Sequence, residues 1–546
     1  MLTWQRLANL GIAAAILLAF AHNASEYHFL GDDAFISFRY ARNFAEGHGL
    51  VWNPGEAVEG YTNFFWVLLM AAGIGAGVEP ERLSVGLGIA SGLGVLALVL
   101  ARNVVRYGWC QPLIWLAPAA LVSSRTFTAW STGGLETQFF TFFVLLALLS
   151  LGEERRRARG VPWVASGLFA IATLIRPEGA IFMAVAGFCI LVDTVVRGRS
   201  LKSVALFALP FLVVVGAHLL WRHAYYGYWL PNTFYAKVHG LWWEQSRKFF
   251  AHFFADYRLH LFLPLGLIPV LVRRRFDDIL WLTAAAVYCG YVVYVGGDRF
   301  EFRFLVAILP ILYVLIADGL HMVWCALPRE RPGQRALAGV ITGGIAVGLL
   351  LSTYVGSVRP EAVRTRDGIA SLGAIKSYGE RRMFEGRYLR DLVERGVLPA
   401  DLRVAVSGAG ALPYYTMWPM LDVYGLNDAT IAHQPVRKRS YVGHEQRLPP
   451  GYLAEKRVVV VDSLNRLVHG TDPMRVAQRM NRARRIARMI RITDQTIGLD
   501  TPARAQCLRI GEDRAMIFVT VVPEPEFQRV LGHLEPCGEV HRGGAV

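Results

Sequence analysis

Apolar residues gather in runs at 7–22, 62–78, 83–101, 111–122, 138–151, 161–175, 179–196, 203–221, 259–272, 278–295, 303–320 and 337–355. A helix crosses the ~30 Å hydrocarbon core of a bilayer in about 20 residues, so many of these runs are long enough to span it. The first run lacks a small-residue cleavage site and is followed by further runs, which makes it a retained anchor. Arginine clusters stand between the runs: Arg155, Arg156, Arg157 and Arg159; Arg197, Arg199 and Lys202; Arg273, Arg274 and Arg275; and Arg329, Arg331 and Arg335. Basic loops stay in the cytoplasm, which places loops 23–61, 123–137, 222–258 and 296–302 outside and exports everything after Gly356. Twelve crossings would return the chain to the cytoplasm. The 111–122 run is short and holds two prolines, so it is expected to dip in without crossing, leaving eleven spans. Arg102 and Arg106 then fall on the outer side, against the charge rule.

Near Arg359 the pattern changes. Short β-type runs appear at Arg403–Val406, Lys456–Val461 and Ala515–Val521, mixed with an amphipathic stretch at 473–491, and the mixture predicts a small α/β domain. The expected fold is a polytopic α-helical membrane protein of about eleven spans (1–356) with a small C-terminal extracytoplasmic α/β domain (357–546). Composition agrees: 54% of residues are hydrophobic and 18% charged, against roughly 25% charged in soluble domains. The net charge of +15 sits largely in the arginine clusters beside the spans, so it reports topology and not nucleic-acid binding. Cys507 and Cys537 share the exported region and can pair there; no cysteine or histidine spacing matches a metal site.

Chemistry concentrates where the first run ends, at Gly31-Asp32-Asp33-Ala34-Phe35-Ile36-Ser37-Phe38-Arg39-Tyr40. Adjacent carboxylates near hydrocarbon are costly and mark function by default. A helix N-cap accounts for one aspartate, not for two. The loop runs on through Trp52, Asn53, Glu56, Glu59, Tyr61 and Asn63, aromatic faces beside amides and carboxylates, which suits sugars with their C–H faces and directional hydroxyls.

The stretch from Asp32 to Trp66 resembles the first outer loop of the GT-C superfamily, the polyprenyl-phosphate-dependent membrane glycosyltransferases. It is most similar there to the terminal arabinofuranosyltransferases of the mycobacterial cell wall. Ser131-Thr132-Gly133-Gly134-Leu135-Glu136-Thr137, Ile175-Arg176-Pro177-Glu178-Gly179, Leu230-Pro231-Asn232-Thr233-Phe234-Tyr235-Ala236-Lys237, and Gly408, Gly410 and Pro413 before Tyr424-Gly425-Leu426-Asn427-Asp428 extend the likeness. The resemblance implies a catalytic carboxylate at Asp32 or Asp33, taking the proton of an acceptor hydroxyl. Cations hold the lipid phosphate: Arg176, Lys237, Arg299 and Arg303, with Arg39 a further candidate. Tyr40, Trp52, Asn53, Glu59, Tyr61, Asn63, Glu136, Glu178 and Asn232 are candidates to contact sugar or acceptor. The donor implied is a polyprenyl-phosphate sugar, the acceptor a cell-envelope glycan, and the location a bacterial plasma membrane with the active site outside.

No cofactor is expected, nor a metal at Asp32, Asp33 and Glu136, since a monophosphate donor needs less neutralisation than a diphosphate. His223 and His239 have no second ligand at zinc spacing. Ser407-Gly408-Ala409-Gly410-Ala411-Leu412-Pro413 lacks the third glycine of a dinucleotide loop and reads as a tight strand-to-helix turn. Tyr414, Tyr415 and Trp418 beside it are candidates to hold an acceptor glycan. The rival readings are another GT-C transferase, moving mannose or a similar sugar to protein, lipid or lipopolysaccharide, and a flippase for lipid-linked sugars. A flippase places ionisable groups at mid-span, whereas here they gather at span ends and in loops.

Overall fold

The structure, a computed structural model, describes residues 2–157, 161–358, 365–436, 443–462, 467–469, 473–495, 503–512 and 514–537; Arg159 of the first arginine cluster lies outside them. Packing divides the chain into two compact units. One comprises Met1–Gly31, Thr62–Trp229 and His239–Ser377; the other comprises Asp32–Tyr61, Leu230–Val238 and Tyr378–Val546.

The helices of the first two thirds of the chain are α1 (Leu2–Glu26), α2 (Ala34–Ala45), α3 (Phe64–Gly75), α4 (Pro80–Tyr107), α5 (Leu116–Ser123), α6 (Arg125–Ala129), α7 (Thr137–Arg157), α8 (Trp163–Ile175), α9 (Gly179–Val196), α10 (Lys202–Tyr226), α11 (Asn232–Lys237), α12 (Trp243–Tyr257), α13 (Leu263–Ile268), α14 (Phe276–Val295), α15 (Leu309–Ala326) and α16 (Pro332–Val358). Among the described residues eight of these are long and apolar enough to cross a membrane: α1, α4, α7, α9, α10, α14, α15 and α16. Shorter apolar helices lie at Phe64–Gly75, Pro112–Ser123, Trp163–Ile175 and Leu263–Arg273.

Ion pairs and hydrogen bonds inside the first unit show which helix ends share a pole. Arg102 and Arg106, at the end of α4, pair with Asp318 at 2.6 and 3.1 Å, and Arg273 reaches the same carboxylate at 3.0 Å. Arg156 pairs with Asp277 and Arg155 with Asp193, so the ends of α7 and α9 join that arginine-rich pole. Asn9 of α1 bonds to Trp109 and Trp115 there. At the other end Asn23 of α1 bonds to Val122, and Arg125 pairs with Glu301 at 2.5 Å. The Pro112–Ser123 segment therefore connects the two poles, and the sequence expectation that it dips without crossing is corrected. Its prolines do no harm. Pro112 opens a 3₁₀ turn and Pro118 lies in the first turn of α5, where no helical N–H is lost. The run at 62–78 gives helix α3 of twelve residues, about 18 Å at 1.5 Å each. Arg102 and Arg106 join the other arginines.

The second unit is built on a sheet of β1 (Val404–Val406), β2 (Met420–Asp422), β3 (Val460–Val461), β4 (Leu467–His469), β5 (Arg504–Gly511) and β6 (Arg514–Thr520). The order is β2-β1-β3-β6-β4, with β5 also on β6. The first three strands are parallel (Val404 opposite Met420 and Val460), and β6 runs antiparallel to its neighbours (Val460 opposite Thr520). Around the sheet lie α17 (Leu372–Glu394), α18 (Ala411–Thr416), α19 (Ala429–Ala432), α20 (Tyr452–Glu455), α21 (Pro473–Gln495) and α22 (Glu524–Leu531). The stretch expected to be amphipathic is α21, whose Val476, Ala483 and Ala487 pack on Val461, Val468, Ile517 and Val519. Cys507 and Cys537 form a disulfide across 30 residues.

Candidate active site

Asp32 and Asp33 introduce α2 within the second unit. Asp33 takes the N-cap position but makes no side-chain capping bond, and it is half-buried. Asp32 is buried, and its Oδ1 accepts the backbone N–H of Ala411 at 2.9 Å. Ala411 opens α18, directly after the turn that follows β1. Gly408 and Gly410 permit this approach: a Cβ on Gly410 would strike the Asp32 carbonyl, and one on Gly408 the Tyr378 hydroxyl. Burial raises the proton affinity of Asp32 above the usual carboxylate range. The Arg382 charge and the Ala411 N–H work against that rise, and the Asp33 charge adds to it.

Arg382 is a charged neighbour of Asp32 that sequence reading missed. Fully buried, it pairs with Asp462 at 2.7 Å and Glu385 at 3.0 Å. These carboxylates, with Tyr378 and Asp32, hold its guanidinium protonated despite burial. One cation thus serves three acidic groups, a balance that leaves Asp32 able to take up a proton.

Several predicted contacts turn inward in the second unit. Arg39 donates through Nε to Trp52 O (2.6 Å), through Nη1 to Pro413 O (2.5 Å) and through Nη2 to Asn53 Oδ1 and Trp418 O (3.0 and 2.9 Å), with its guanidinium 4.6 Å from the centre of the Trp52 ring. Burial lowers its pKa to about 9. Its donors are committed to fastening the loop, which corrects its assignment to a lipid phosphate. Tyr40 donates to Val58 O and accepts from Gly60 N–H, and Tyr61 packs on its ring. Asn53 Nδ2 donates to Met420 O. Asn232 Nδ2 donates to Gly425 O and Leu426 O, and its N–H to Glu59 O. Tyr40, Trp52, Glu59, Tyr61 and Asn232 are buried. They and Asn53 lock segments together, a correction to their expected contact with sugar. Tyr414, Tyr415 and Trp418 are likewise buried, so they pack where acceptor contacts were expected. Lys237 ends α11. Its stem passes Gly443, and its charge acts on the buried carboxyl of Asp422, which burial raises to about 6.

In the first unit, Arg176 is gripped by two carboxylates: Nη1 to Glu136 at 3.0 Å, and Nη2 to Glu178 at 2.8 Å. Asn63 Nδ2 donates to the other Glu136 oxygen at 2.7 Å. Glu178 stays ionised although buried, chiefly because of Arg176. Arg176 is thereby neutralised, which corrects its assignment as a phosphate ligand; it holds Glu136 and Glu178 in place. Arg303 differs. Asp298 takes its Nε at 2.9 Å, while among the described residues its Nη amines meet no hydrogen-bond partner. The guanidinium lies 5.1–5.6 Å from the ring centres of Trp130, Phe300 and Phe304. Arg299 lies over Phe300 at 4.8 Å, and its carbonyl accepts Ala370 N–H. Arg303 therefore offers a fixed cation with open donors, suited to a phosphate. Sequence reading also missed the Arg125–Glu301 pair, whose Glu301 Oε2 accepts Leu372 N–H at 2.8 Å.

This architecture is the GT-C fold. The chain superposes over 94% of its length on 98% of ArnT from Cupriavidus metallidurans bound to undecaprenyl phosphate, with a TM-score of 0.55 at 13% identity. The apo form of that protein gives 0.52. In sequence the chain is similar to the terminal beta-(1->2)-arabinofuranosyltransferase of Mycobacterium tuberculosis, 29% identical over 280 residues, which is 48% of this chain and 44% of that protein. The Corynebacterium glutamicum protein of the same name is 25% identical over 332 residues, 53% of this chain and 47% of that one. The chain thus spans a little under half the length of these relatives. Residues 376–503 match a domain family of unknown function, DUF8728.

Proposed function

We propose that this chain is a membrane glycosyltransferase that moves arabinofuranose from a polyprenyl monophosphate to a cell-envelope glycan on the extracytoplasmic face. The names of the two sequence relatives support the sugar, and the lipid bound to the structural neighbour supports the carrier. The single arginine-rich pole, taken as cytoplasmic, turns Glu136, Arg176 and Arg303 outward. The Cys507–Cys537 disulfide suits an oxidising compartment.

The observation that carries the chemistry is Asp32, a buried carboxyl with raised proton affinity beside a second carboxylate. A general base works best when its pKa lies near the working pH, and neighbouring carboxyls in unlike surroundings divide their roles. The acceptor hydroxyl oxygen attacks the anomeric carbon and the bond to the phosphate oxygen breaks. Polyprenyl phosphate leaves with the electron pair, and Asp32 takes the hydroxyl proton. Asp33 counters positive charge developing on the sugar ring.

The test supplies the purified full-length chain in lipid nanodiscs with polyprenyl-phosphate arabinofuranose or polyprenyl-phosphate mannose and an arabinan acceptor, and reads the product by mass spectrometry. Arabinose transfer alone is the expected result. Transfer of mannose in its place, or of neither sugar, overturns the reading.

A further inference from the structure

In the second unit the parallel strands lie in the order β2-β1-β3, so the chain leaves β1 to one side and returns on the other. Ligands of open α/β sheets bind outside the carboxyl ends of the strands where that reversal falls, here at β1 and β3. The turn after β1 holds Asp32 through the Ala411 N–H. Asp462, directly after β3, holds Arg382 at 2.7 Å. A Cβ on Gly408 would meet both the Tyr378 hydroxyl and Oδ2 of Asp32, so those two oxygens flank the turn. Tyr378, Arg381, Arg382 and Glu385 recur at helical spacing and share one face of α17, while Glu380 and Asp391 fall on its far side.

Further cations gather beside Tyr378. The Arg381 guanidinium lies 5.5 Å from the Tyr378 ring centre, and among the described residues its buried Nε meets no hydrogen-bond partner. Arg479 of α21 is half-buried, and the charges that act on it most strongly are Glu385, Arg482, Arg381 and Arg475. Burial lowers its pKa and Glu385 raises it, but the three arginines add to the fall. Glu385, the one carboxylate of that group, is already bound by Arg382 at 3.0 Å. Guanidiniums this close disfavour one another's charge, and a bound anion relieves them.

We propose that Arg381, Arg479 and Arg482 form a phosphate site beside Asp32. In the transfer proposed above, on which the inference rests, they hold the phosphate of the lipid-linked donor and keep it as it leaves. A guanidinium presents N–H donors in a fork that matches phosphate oxygens, and Arg381 has such a donor uncommitted. Tyr378 links the site to Asp32, with its hydroxyl at the turn and its ring beside Arg381. A base and a phosphate-binding cation are thereby brought to one end of the sheet.

The test measures binding of undecaprenyl phosphate and of inorganic phosphate to the full-length chain in nanodiscs of zwitterionic lipid. Arg381→Ala is expected to weaken undecaprenyl phosphate binding by about tenfold and to raise the donor KM by a similar factor. Its KM for acceptor and its melting temperature should stay unchanged, and Arg381→Lys, which keeps the charge, should recover part of the loss. Arg482→Ala, at an exposed position, should weaken binding in the same direction and carries the test if the first variant unfolds. Absence of undecaprenyl phosphate binding by the unaltered chain, or binding undiminished in both Ala variants, overturns the proposal. So does inorganic phosphate held through Arg381 that undecaprenyl phosphate fails to displace, because the site then serves another anion. If undecaprenyl phosphate binds through Arg381 but no arabinose is transferred, the phosphate site stands and the sugar assignment falls.

Discussion

Asp32 and Ala411 lie 379 positions apart, and a 2.9 Å hydrogen bond joins the carboxylate of the one to the backbone N–H of the other. The bond fixes the acidic doublet against the turn after β1, while the nearby Arg382 charge opposes the rise in proton affinity that burial imposes. Asp32→Asn keeps an oxygen to accept the Ala411 N–H and removes only the basic function. Transfer is expected to fall by about 10²-fold or more, with the melting temperature close to that of the unaltered chain. A variant that keeps near-full turnover shows that another group takes the proton.

The same residue sets a pH dependence. Burial raises the Asp32 pKa, and the base works only when ionised. Turnover per enzyme should therefore rise with pH through a limb above the ordinary carboxylate range, and that limb should vanish from the residual activity of Asp32→Asn. A pH–rate profile of kcat/KM on the free enzyme reports it.

Arg303 and Arg176 separate binding from architecture. Among the described residues Arg303 keeps two Nη amines open beside its Asp298 bond, so Arg303→Ala should raise the donor KM by about tenfold, the effect of one charge-assisted contact, with a smaller change in kcat. Arg176→Ala leaves Glu136 and Glu178 buried without their cation, a loss of about 3–5 kcal/mol. Thermal unfolding of the nanodisc-embedded protein should show the second variant, which orphans two buried carboxylates, destabilised more than the first, which orphans Asp298 alone. The reverse pattern exchanges their roles.

Much of the membrane part was legible because hydropathy reports burial in lipid directly. The run at 179–196 became α9 with the same ends, and the run at 83–101 became α4 (Pro80–Tyr107), longer at both ends. The run at 111–122 misled because proline counts as a breaker only inside a helix, and here it stands in a first turn, where it is harmless. The doublet at 32–33 stood out as a local cluster of charge. The partners of Asp32 did not: Arg382 reads as one charge among many on a solvated helix, and its partner Asp462 is 80 residues away. Aromatic and amide residues of the first loop were visible as a group, yet sequence cannot say whether such a group faces a sugar or a protein interior. Tyr40, Trp52 and Asn232 face the interior.

Shared poles give a topological prediction. Arg102, Arg106 and Arg273 meet Asp318 at one end of the first unit, while Arg125 meets Glu301 at the other. Single cysteines at Arg275 and Arg329, in a chain stripped of its native free thiols, should be labelled by an impermeant maleimide only after the membrane is opened. A cysteine at Gly134 should be labelled from outside in intact cells, as far as its depth permits. A cysteine at Gly108 should behave as those at Arg275 and Arg329 do; its labelling from the same side as Gly134 contradicts the crossing of Pro112–Ser123.

Asp422 provides a stability prediction whose sign follows from its burial. Its pKa stands at about 6 in the folded chain against 3.8 as the ordinary value, because burial outweighs the N–H donors of Tyr424 and Asn427. The folded state then binds the proton more tightly than the unfolded state does. The stabilising contribution is complete below pH 3.8, declines as pH rises, and is lost above about 6. At 1.36 kcal/mol per unit the span is about 3 kcal/mol. Asp422→Asn keeps an oxygen for the Tyr424 N–H and cannot ionise, so its stability relative to the unaltered chain should improve between pH 5 and pH 8 by about 1.4 kcal/mol, the part of the span that lies above pH 5. Parallel melting curves in the two buffers measure the difference. A constant offset between variant and parent across this range shows that Asp422 does not titrate there.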